Sequence, residues 1–424
     1  MTGEASPTIL QVVPELDTGG AEKSAVEMAE AVTRAGGACL VASQGGRMEA
    51  ALAAAGGELC RLPLKTKNPV RMAANIRALY RVIRARGVDL VHARSRAPAW
   101  SALAAARLAG VPFVTTYHGA YNQKSRTKSF FNSVMARGDT VIANSRYTAE
   151  LVATRHGTPA ERVRVIYRGV ETDRFAPDAV PPARVAAMRA AWDVPEDARI
   201  VLQVARLTRW KGQDIVIAAA ARLLRQPDMA DVAVVLAGDA QGREAYQDSL
   251  RGMIVASGLQ GRIKLVGHVE DVPAACRAAE IVVVASREAE AFGRASAEAQ
   301  AAGRPVIVAD RGALPETLLP VGHTGADTAT GWLVAPDAPD ALATSLEGAL
   351  RLPRDDLDRM GARGRAFVTA RFTTRAMQRA TLEVYDALLG SRLAEEFGDD
   401  TSRHTTMRSD DGPQSGRAFT GNAH

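Results

Sequence analysis

Glu290 and Glu298 bracket seven residues, with Phe292-Gly293 lodged between them, in the stretch 280–303, EIVVVASREAEAFGRASAEAQAAG. An apolar run at 281–285 precedes them and breaks off in a charged loop. A short apolar run bounded by charge reads as a buried strand. In open parallel sheets ligands collect outside the carboxyl ends of such strands. The helix expected from Gly293 brings unpaired N–H groups and a positive dipole end, which suits phosphate. Glu290 then stands in the loop and Glu298 about one turn into the helix, so both can face one cleft. Two glutamates at this spacing carry little by themselves. Their coincidence with a strand end, an acidic loop, Phe-Gly and a helix start carries much more.

A second strand, IVLQVARL, runs into TRWKGQD and places Arg206 and Lys211 at its carboxyl end. Fixed cations aimed at a leaving group that gains negative charge stabilise the transition state more than the ground state. Taken alone, the pair reads rather as two solvated side chains in a loop, and the Glu pair beside it reverses that reading. Near the amino terminus, ELDTGGA follows an apolar run and precedes a helix, so Gly19 and Gly20 permit close backbone approach at a helix start. The spelling is not G-x-G-x-x-G, which argues against a dinucleotide site. His118 ends the apolar strand PFVTTYH just before Gly119, a position that enters a cleft. His92 also ends a strand and is followed by Arg94 and Arg96.

Taken together, Glu290, Phe292-Gly293, Glu298, Arg206 and Lys211 resemble the retaining glycosyltransferases of family 4, the group 1 glycosyltransferases of GT-B fold. The resemblance implies an α/β protein of two doubly wound Rossmann-like domains facing across a cleft. It implies that Glu290 lies beside the donor sugar and that the backbone of Phe292-Gly293 contacts the sugar hydroxyls. Glu298 is then the acceptor of hydrogen bonds from the nucleotide ribose, and Arg206 and Lys211 hold the diphosphate. His118 is placed near the anomeric centre, and Gly19 and Gly20 near the donor phosphate. Ala291 and Arg294 belong to the same donor loop, and Gly238, His268 and Val269 end two further strands over the base and ribose. The implied catalytic set is His118, Glu290, Arg206 and Lys211. No metal or other cofactor is expected, since two cations already face the diphosphate. Asp356 and Asp358 spell the Asp-x-Asp of metal-dependent relatives of another fold, but they open a late helix, where the dipole favours acids. This chain departs from the family in two places: Arg168 stands where many members carry Asn, and Ala313 where Gly is usual.

The elements that must position these residues alternate strand and helix. Strands are expected near 8–13, 38–43, 89–93, 112–117, 140–144 and 163–167, and in a second series near 199–205, 232–237, 263–266, 280–285, 305–309 and 332–334. Helices fit between them, which implies parallel sheets covered on both faces. A proline-rich connector, APDAVPPAR, separates the series. The expected organisation is an acceptor-binding domain at 1–178, a nucleotide-sugar-binding domain at 179–373, a helix crossing back at 374–392, and a disordered polar tail at 393–424.

Charge is unevenly spread. Between 59 and 138 there are fifteen basic side chains and one acid, Asp89, although the whole chain carries only +6. Such a field attracts an anionic partner. A helix from about Pro69 would turn Ile76, Leu79, Tyr80 and Ile83 to the core and Arg77, Arg81 and Arg84 to a neighbouring face. These three, with Arg94, Arg96 and Lys124, are the residues expected to meet an anionic glycolipid acceptor or an anionic membrane surface. The phrases ARSRAPAW, TTYHGAYN and NSVMARGDTVIANSR look like those of proteobacterial lipopolysaccharide-core glycosyltransferases, some of which are mannosyltransferases. The partners implied are thus a GDP- or UDP-linked sugar donor and a glycolipid acceptor. Nucleic acid is not among them, because aromatic residues, 5% of the chain, are too sparse to interleave the basic stretch. Three scattered cysteines without metal-ligand spacing, an amino terminus without an apolar core, and no run near the ~20 apolar residues of a span point to a cytoplasmic, peripheral protein. Two alternatives remain open: a sugar-nucleotide epimerase on the same fold, and a non-catalytic lipid- or partner-binding relative.

Overall fold

The computed structural model describes residues 6–17, 19–119, 121, 125–325 and 327–398. The amino-terminal sheet has seven parallel strands: β1 (Thr8–Val12), β2 (Ala38–Ser43), β3 (Glu58–Arg61), β4 (Leu90–Ala93), β5 (Phe113–Tyr117), β6 (Thr140–Ala143) and β7 (Val163–Val165). Their order is β3-β2-β1-β4-β5-β6-β7. The second sheet holds β8 (Arg199–Val204), β9 (Val232–Ala237), β10 (Ile263–Gly267), β11 (Ile281–Val284), β12 (Val306–Ala309) and β13 (Gly331–Val334), in the order β10-β9-β8-β11-β12-β13. Both orders reverse direction once, between β1 and β4 and between β8 and β11. Doubly wound sheets bind ligands at such switch points, outside the strand ends. The loops that follow β1, β4, β8 and β11 carry Gly19-Gly20, Arg96, Arg206-Lys211 and Glu290, so the chemistry is gathered at two crevices.

Helices cover both faces of each sheet, and the strands are accordingly buried on both sides. In the second sheet Val201, Val234 and Val283 pack into one cluster, and Leu202, Val235 and Val284 into the other. The helix Pro69–Ala85 starts where Asn68 accepts from the backbone N–H groups of Val70 and Arg71, with Pro at its first position. Leu79 and Ile83 are buried beneath it, and Ile76 and Tyr80 pack against the same cluster. The helix Thr374–Leu389 lies on the amino-terminal domain, burying Met377, Leu382 and Tyr385 among Ile9, Val13 and Ala25. Its entry is tied to the other interdomain crossing: Val170 N–H donates to Phe372 O at 2.7 Å and Thr374 N–H to Val170 O at 3.1 Å.

Several elements were not legible in the sequence. The edge strand β3 and the helix Glu49–Ala54 carry too little apolar pattern, and β3 is only half-buried or exposed along its length. The helices Pro182–Ala191 and Val272–Ala278 begin at or beside proline, and the first starts within the stretch read as a connector. Residues 393–398, expected in the disordered tail, pack against the protein. Leu393 and Phe397 are each 1% exposed and join the amino-terminal core, with the guanidinium groups of Arg34 and Arg375 over the Phe397 ring. Residues 399–424 lie outside the described residues. No helix among the described residues is long and apolar enough to cross a membrane.

Candidate functional site

The two switch-point loops of the second sheet are joined by a charged pair. Lys211 Nζ donates to Glu290 Oε1 at 2.7 Å, and the Ser286 hydroxyl donates to the same oxygen. The side chains are 16% and 11% exposed, so the pair is largely withdrawn from water but open on one side. The Lys211 ammonium also lies 4.2 Å from the Trp210 ring centroid. Backbone contacts fix the spacing: Arg287 N–H donates to Trp210 O at 2.8 Å, and the buried Gln203 and Gln213 side chains donate to Lys211 O and Arg206 O. With the loop held this way, Arg206 is left exposed, its guanidinium without an ion-pair partner among the described residues. Glu290 is gripped from behind as well. Ala313 N–H donates to Glu290 O at 2.9 Å, and Gly312 has φ +66° with its missing Cβ only 2.7 Å from both Glu290 N and O.

Phe292 is 2% exposed and packs edge-on against Phe372, so its ring serves the core and only its backbone is left for a ligand. Gly293 caps the helix Arg294–Ala301 with φ +105°. One turn on, Glu298 Oε1 accepts from Arg294 Nε and Nη2 at 3.3 and 3.1 Å, which leaves Oε2 for another donor. Gly238 N–H donates to Gly267 O at 2.7 Å, so the loops after β9 and β10 run side by side. His268 is exposed there, and Val269 is half-buried against the domain core.

Across the cleft, Gly19 caps the helix Gly20–Arg34, and the Arg168 guanidinium lies against Gly20. His118 Nδ1 is 2.6 Å from Arg168 Nη2 and 3.3 Å from Asn144 Nδ2, while its Nε2 is buried with no partner among the described residues. Burial, then Arg168, then Arg94 hold the His118 imidazole well below its ordinary pKa, so it is neutral. Burial brings Arg168 down to about 10, which still leaves it charged at neutral pH. Glu27, on the same helix as Gly20, is 8% exposed; burial raises its pKa against the attraction of Lys23.

The structure corrects one basic residue. Arg94, expected at the acceptor or membrane, is 4% exposed and donates to Gln11 Oε1 at 2.7 Å. It belongs to a buried network with His92, whose ring nitrogens meet Tyr385 Oη at 2.6 Å and Thr116 Oγ1 at 2.7 Å. Polar groups this deep need partners, and Arg94 finds them inside the protein. Arg96 is half-buried, donating to Asn132 Oδ1 beneath the Tyr121 ring. Arg77, Arg81 and Arg84 are exposed and without ion-pair partners among the described residues. Lys124 lies outside the described residues. Four cations of the basic stretch are met by acids outside it, Arg61 by Glu49, Lys65 by Glu15, Arg86 by Glu58 and Arg107 by Asp139. Asp356 stands beside Arg359, and Asp358 lies 3.8 Å from Arg304.

Residues 18–174 match the model of Glycosyltransferase Family 4, and 185–367 that of Glycosyl transferases group 1. A solved glycosyltransferase from Rickettsia africae ESF-5 superposes with a TM-score of 0.83 at 30% identity, over 92% of this chain and all of that one. The chain belongs to the group 1 glycosyltransferases. Its two sheets are those of a GT-B enzyme. Anabaena Alr3699/HepE, solved in complex with UDP-glucose, shares the fold with a TM-score of 0.76 at 24% identity, over 90% of this chain and 100% of the other. Among curated relatives, a D-inositol 3-phosphate glycosyltransferase from Kineococcus radiotolerans is 34% identical over 274 residues, 63% of this chain. The matched stretch covers 61% of that relative's length.

Several contributors to this group 1 glycosyltransferase's cleft were missed in the sequence. Ser286 and Trp210, which flank the Lys211–Glu290 pair, carry no pattern of their own. Gln203 did carry a signal, as a polar residue inside an apolar strand. Glu316 lies three residues beyond Ala313, but its partners lie in the other domain. Its carboxylate accepts from the N–H groups of Arg146 and Tyr147 at 2.9 and 2.8 Å and from Tyr167 Oη at 2.8 Å, capping the helix Arg146–His156 across the cleft.

Proposed function

We propose that the protein transfers a hexose from a nucleotide diphosphate sugar to an anionic glycolipid acceptor, with retention at the anomeric carbon and without a metal. The observation that carries this reading is the Lys211–Glu290 pair at the β8/β11 switch point, beside exposed Arg206. Lys211 and Arg206 hold the diphosphate and stabilise the charge it gains on leaving. Glu298 takes the ribose through Oε2, and the Phe292-Gly293 backbone meets the sugar hydroxyls. The Glu290 carboxylate already accepts from an ammonium and a hydroxyl on one oxygen, which weakens it as a nucleophile. This favours attack on the face the diphosphate leaves, with the diphosphate taking the acceptor proton, over a covalent glycosyl-enzyme.

The acceptor reading draws on the other crevice. A cavity of about 240 Å³ after β4 is lined by Lys67, Ser95, Arg96, Lys128 and Asn132, three cations and no acid. It lies at the start of the helix Arg96–Ala109, whose N–H groups add to the positive field. An acceptor bearing phosphate suits it, as does the acceptor named for the Kineococcus relative, and a phosphorylated lipopolysaccharide core suits it equally. In this reading exposed Arg77, Arg81 and Arg84 rest on anionic lipid at the inner face of a membrane.

A thermal-shift panel of UDP, GDP and their sugars tests the donor half. One nucleotide diphosphate sugar should stabilise the protein by about 2.7 kcal/mol at a hundredfold excess over Kd. Arg206→Ala should remove most of that shift. An absence of stabilisation by every nucleotide in the panel overturns the reading in favour of a non-catalytic relative. Conversion of the donor into its epimer, with the sugar still joined to the nucleotide and no acceptor present, would favour the epimerase.

A further inference from the structure

We infer that Arg168 is a positioning residue: it holds His118 as a neutral imidazole protonated on Nε2, so that His118 donates a hydrogen bond to an oxygen of the bound substrate and does not act as a base. The inference rests on reading the cleft as a sugar-transfer site, but its geometry stands apart from that reading. A guanidinium has donors only. With Arg168 Nη2 2.6 Å from Nδ1, that nitrogen carries no proton, whichever way the Asn144 amide is turned. The ring proton therefore sits on Nε2, which is buried and unpartnered among the described residues. A buried donor without an acceptor is costly, so the site is built for an incoming acceptor oxygen.

Gly20 admits the device. A Cβ there would lie 2.3 Å from Arg168 Nη1, so a larger residue must displace the guanidinium that meets the histidine. Asn, which many members carry at position 168, offers both a donor and an acceptor and would leave the tautomer undecided. The charged groups around the pair are Arg94 from the end of β4, Arg294 from the helix Arg294–Ala301 and Glu27 from the helix Gly20–Arg34. Tyr121 Oη accepts from the His118 backbone N–H at 3.2 Å. Two of the three charges are positive, so the surroundings as well as Arg168 oppose an imidazolium.

The test uses the full chain labelled with ¹⁵N-histidine, with the His118 signals assigned by their loss in His118→Asn. In the wild type, Nδ1 should appear unprotonated and Nε2 protonated, both at neutral pH and one unit below the ordinary histidine pKa. Arg168→Asn should give exchanging tautomers and a ring that takes up protons at higher pH. Arg168→Lys, which keeps a donor, should restore much of the wild-type pattern, and Gly20→Ala should mimic Arg168→Asn. A wild-type His118 protonated on Nδ1, or an unchanged pattern in Arg168→Asn, overturns the inference. No substrate is needed, so failure here is distinct from failure of the proposed transfer reaction.

Discussion

Lys211 and Glu290 come from loops 79 residues apart in the chain and meet at 2.7 Å because β8 and β11 are neighbours in the sheet. A surface pair of this kind contributes about 0–1 kcal/mol, whereas breaking a buried one costs about 3–5 kcal/mol. At 16% and 11% exposure this pair lies toward the buried limit. Lys211→Ala is expected to lower stability measurably in chemical denaturation and to cut kcat/KM by about 10²–10³, the usual cost of losing a preorganised donor to developing charge. A variant as stable and as active as the wild type would show that the pair is incidental.

Gly312 should behave as part of the catalytic loop through its contact with the Glu290 backbone. Its positive φ costs an alanine about 1–2 kcal/mol, and the added Cβ also presses on the backbone of Glu290. Gly322 has a similar positive φ of +84° with open space where a Cβ would go. Gly322→Ala should therefore lose stability alone, while Gly312→Ala loses stability and turnover. Equal turnover in the two variants would detach Gly312 from Glu290.

Arg94 should affect folding and leave acceptor binding alone. Arg94→Met strands the Gln11 carboxamide oxygen in the core, at a cost of about 1–3 kcal/mol. Tyr385→Phe removes the hydroxyl at His92 Nδ1 and is expected to loosen the returning carboxy-terminal helix. Denaturant midpoints read both effects. A large rise in acceptor KM for Arg94→Met, with stability unchanged, would restore the role read from the sequence.

Glu316 ties the domains. Glu316→Ala leaves the first N–H groups of the helix Arg146–His156 and the Tyr167 hydroxyl without their acceptor, and losing a helix cap costs about 0.5–2 kcal/mol. Burial first, and the Glu316 hydrogen bond second, push Tyr167 up to about 12. The expected outcome is a lower melting temperature and a larger radius of gyration by small-angle scattering. An unchanged radius would mean that the linker crossing at Val170 and Thr374 sets the domain angle without Glu316.

Acid should destabilise the protein earlier than its carboxylates alone would dictate. His92 and His118 are both held neutral, well below the ordinary value of 6.5, burial being the first cause in each. The unfolded chain takes up these protons as pH falls below about 6.5 while the folded chain does not, so stability is full above that value and drops beneath it. The limiting slope is about 1.4 kcal/mol per pH unit for each histidine. Urea denaturation across this range checks the sign; stability that is flat or rising toward acid contradicts it.

Much of the site was legible because its chemistry is local. Glu290, Phe292, Gly293 and Glu298 lie within one strand-loop-helix unit, and Arg206 and Lys211 within another, so spacing along the chain already implied spacing in the fold. Alternating apolar runs and helical periodicity likewise determined two parallel sheets, since each buried strand leaves its mark over a few consecutive residues. Only the tertiary structure decided contacts between distant segments. The sequence read Arg94 as one more cation in a basic stretch, but the sheet buries it beside Gln11 and His92. Acids beyond the stretch neutralise four of its neighbours, an effect that sequence distance conceals. Glu316 acquires its role from Tyr167 across the cleft, and Arg168 acquires its own from His118, at the end of another strand of the same sheet. Hydrogen-bond partners and burial depend on position in space, which local patterning fixes within an element but not between elements.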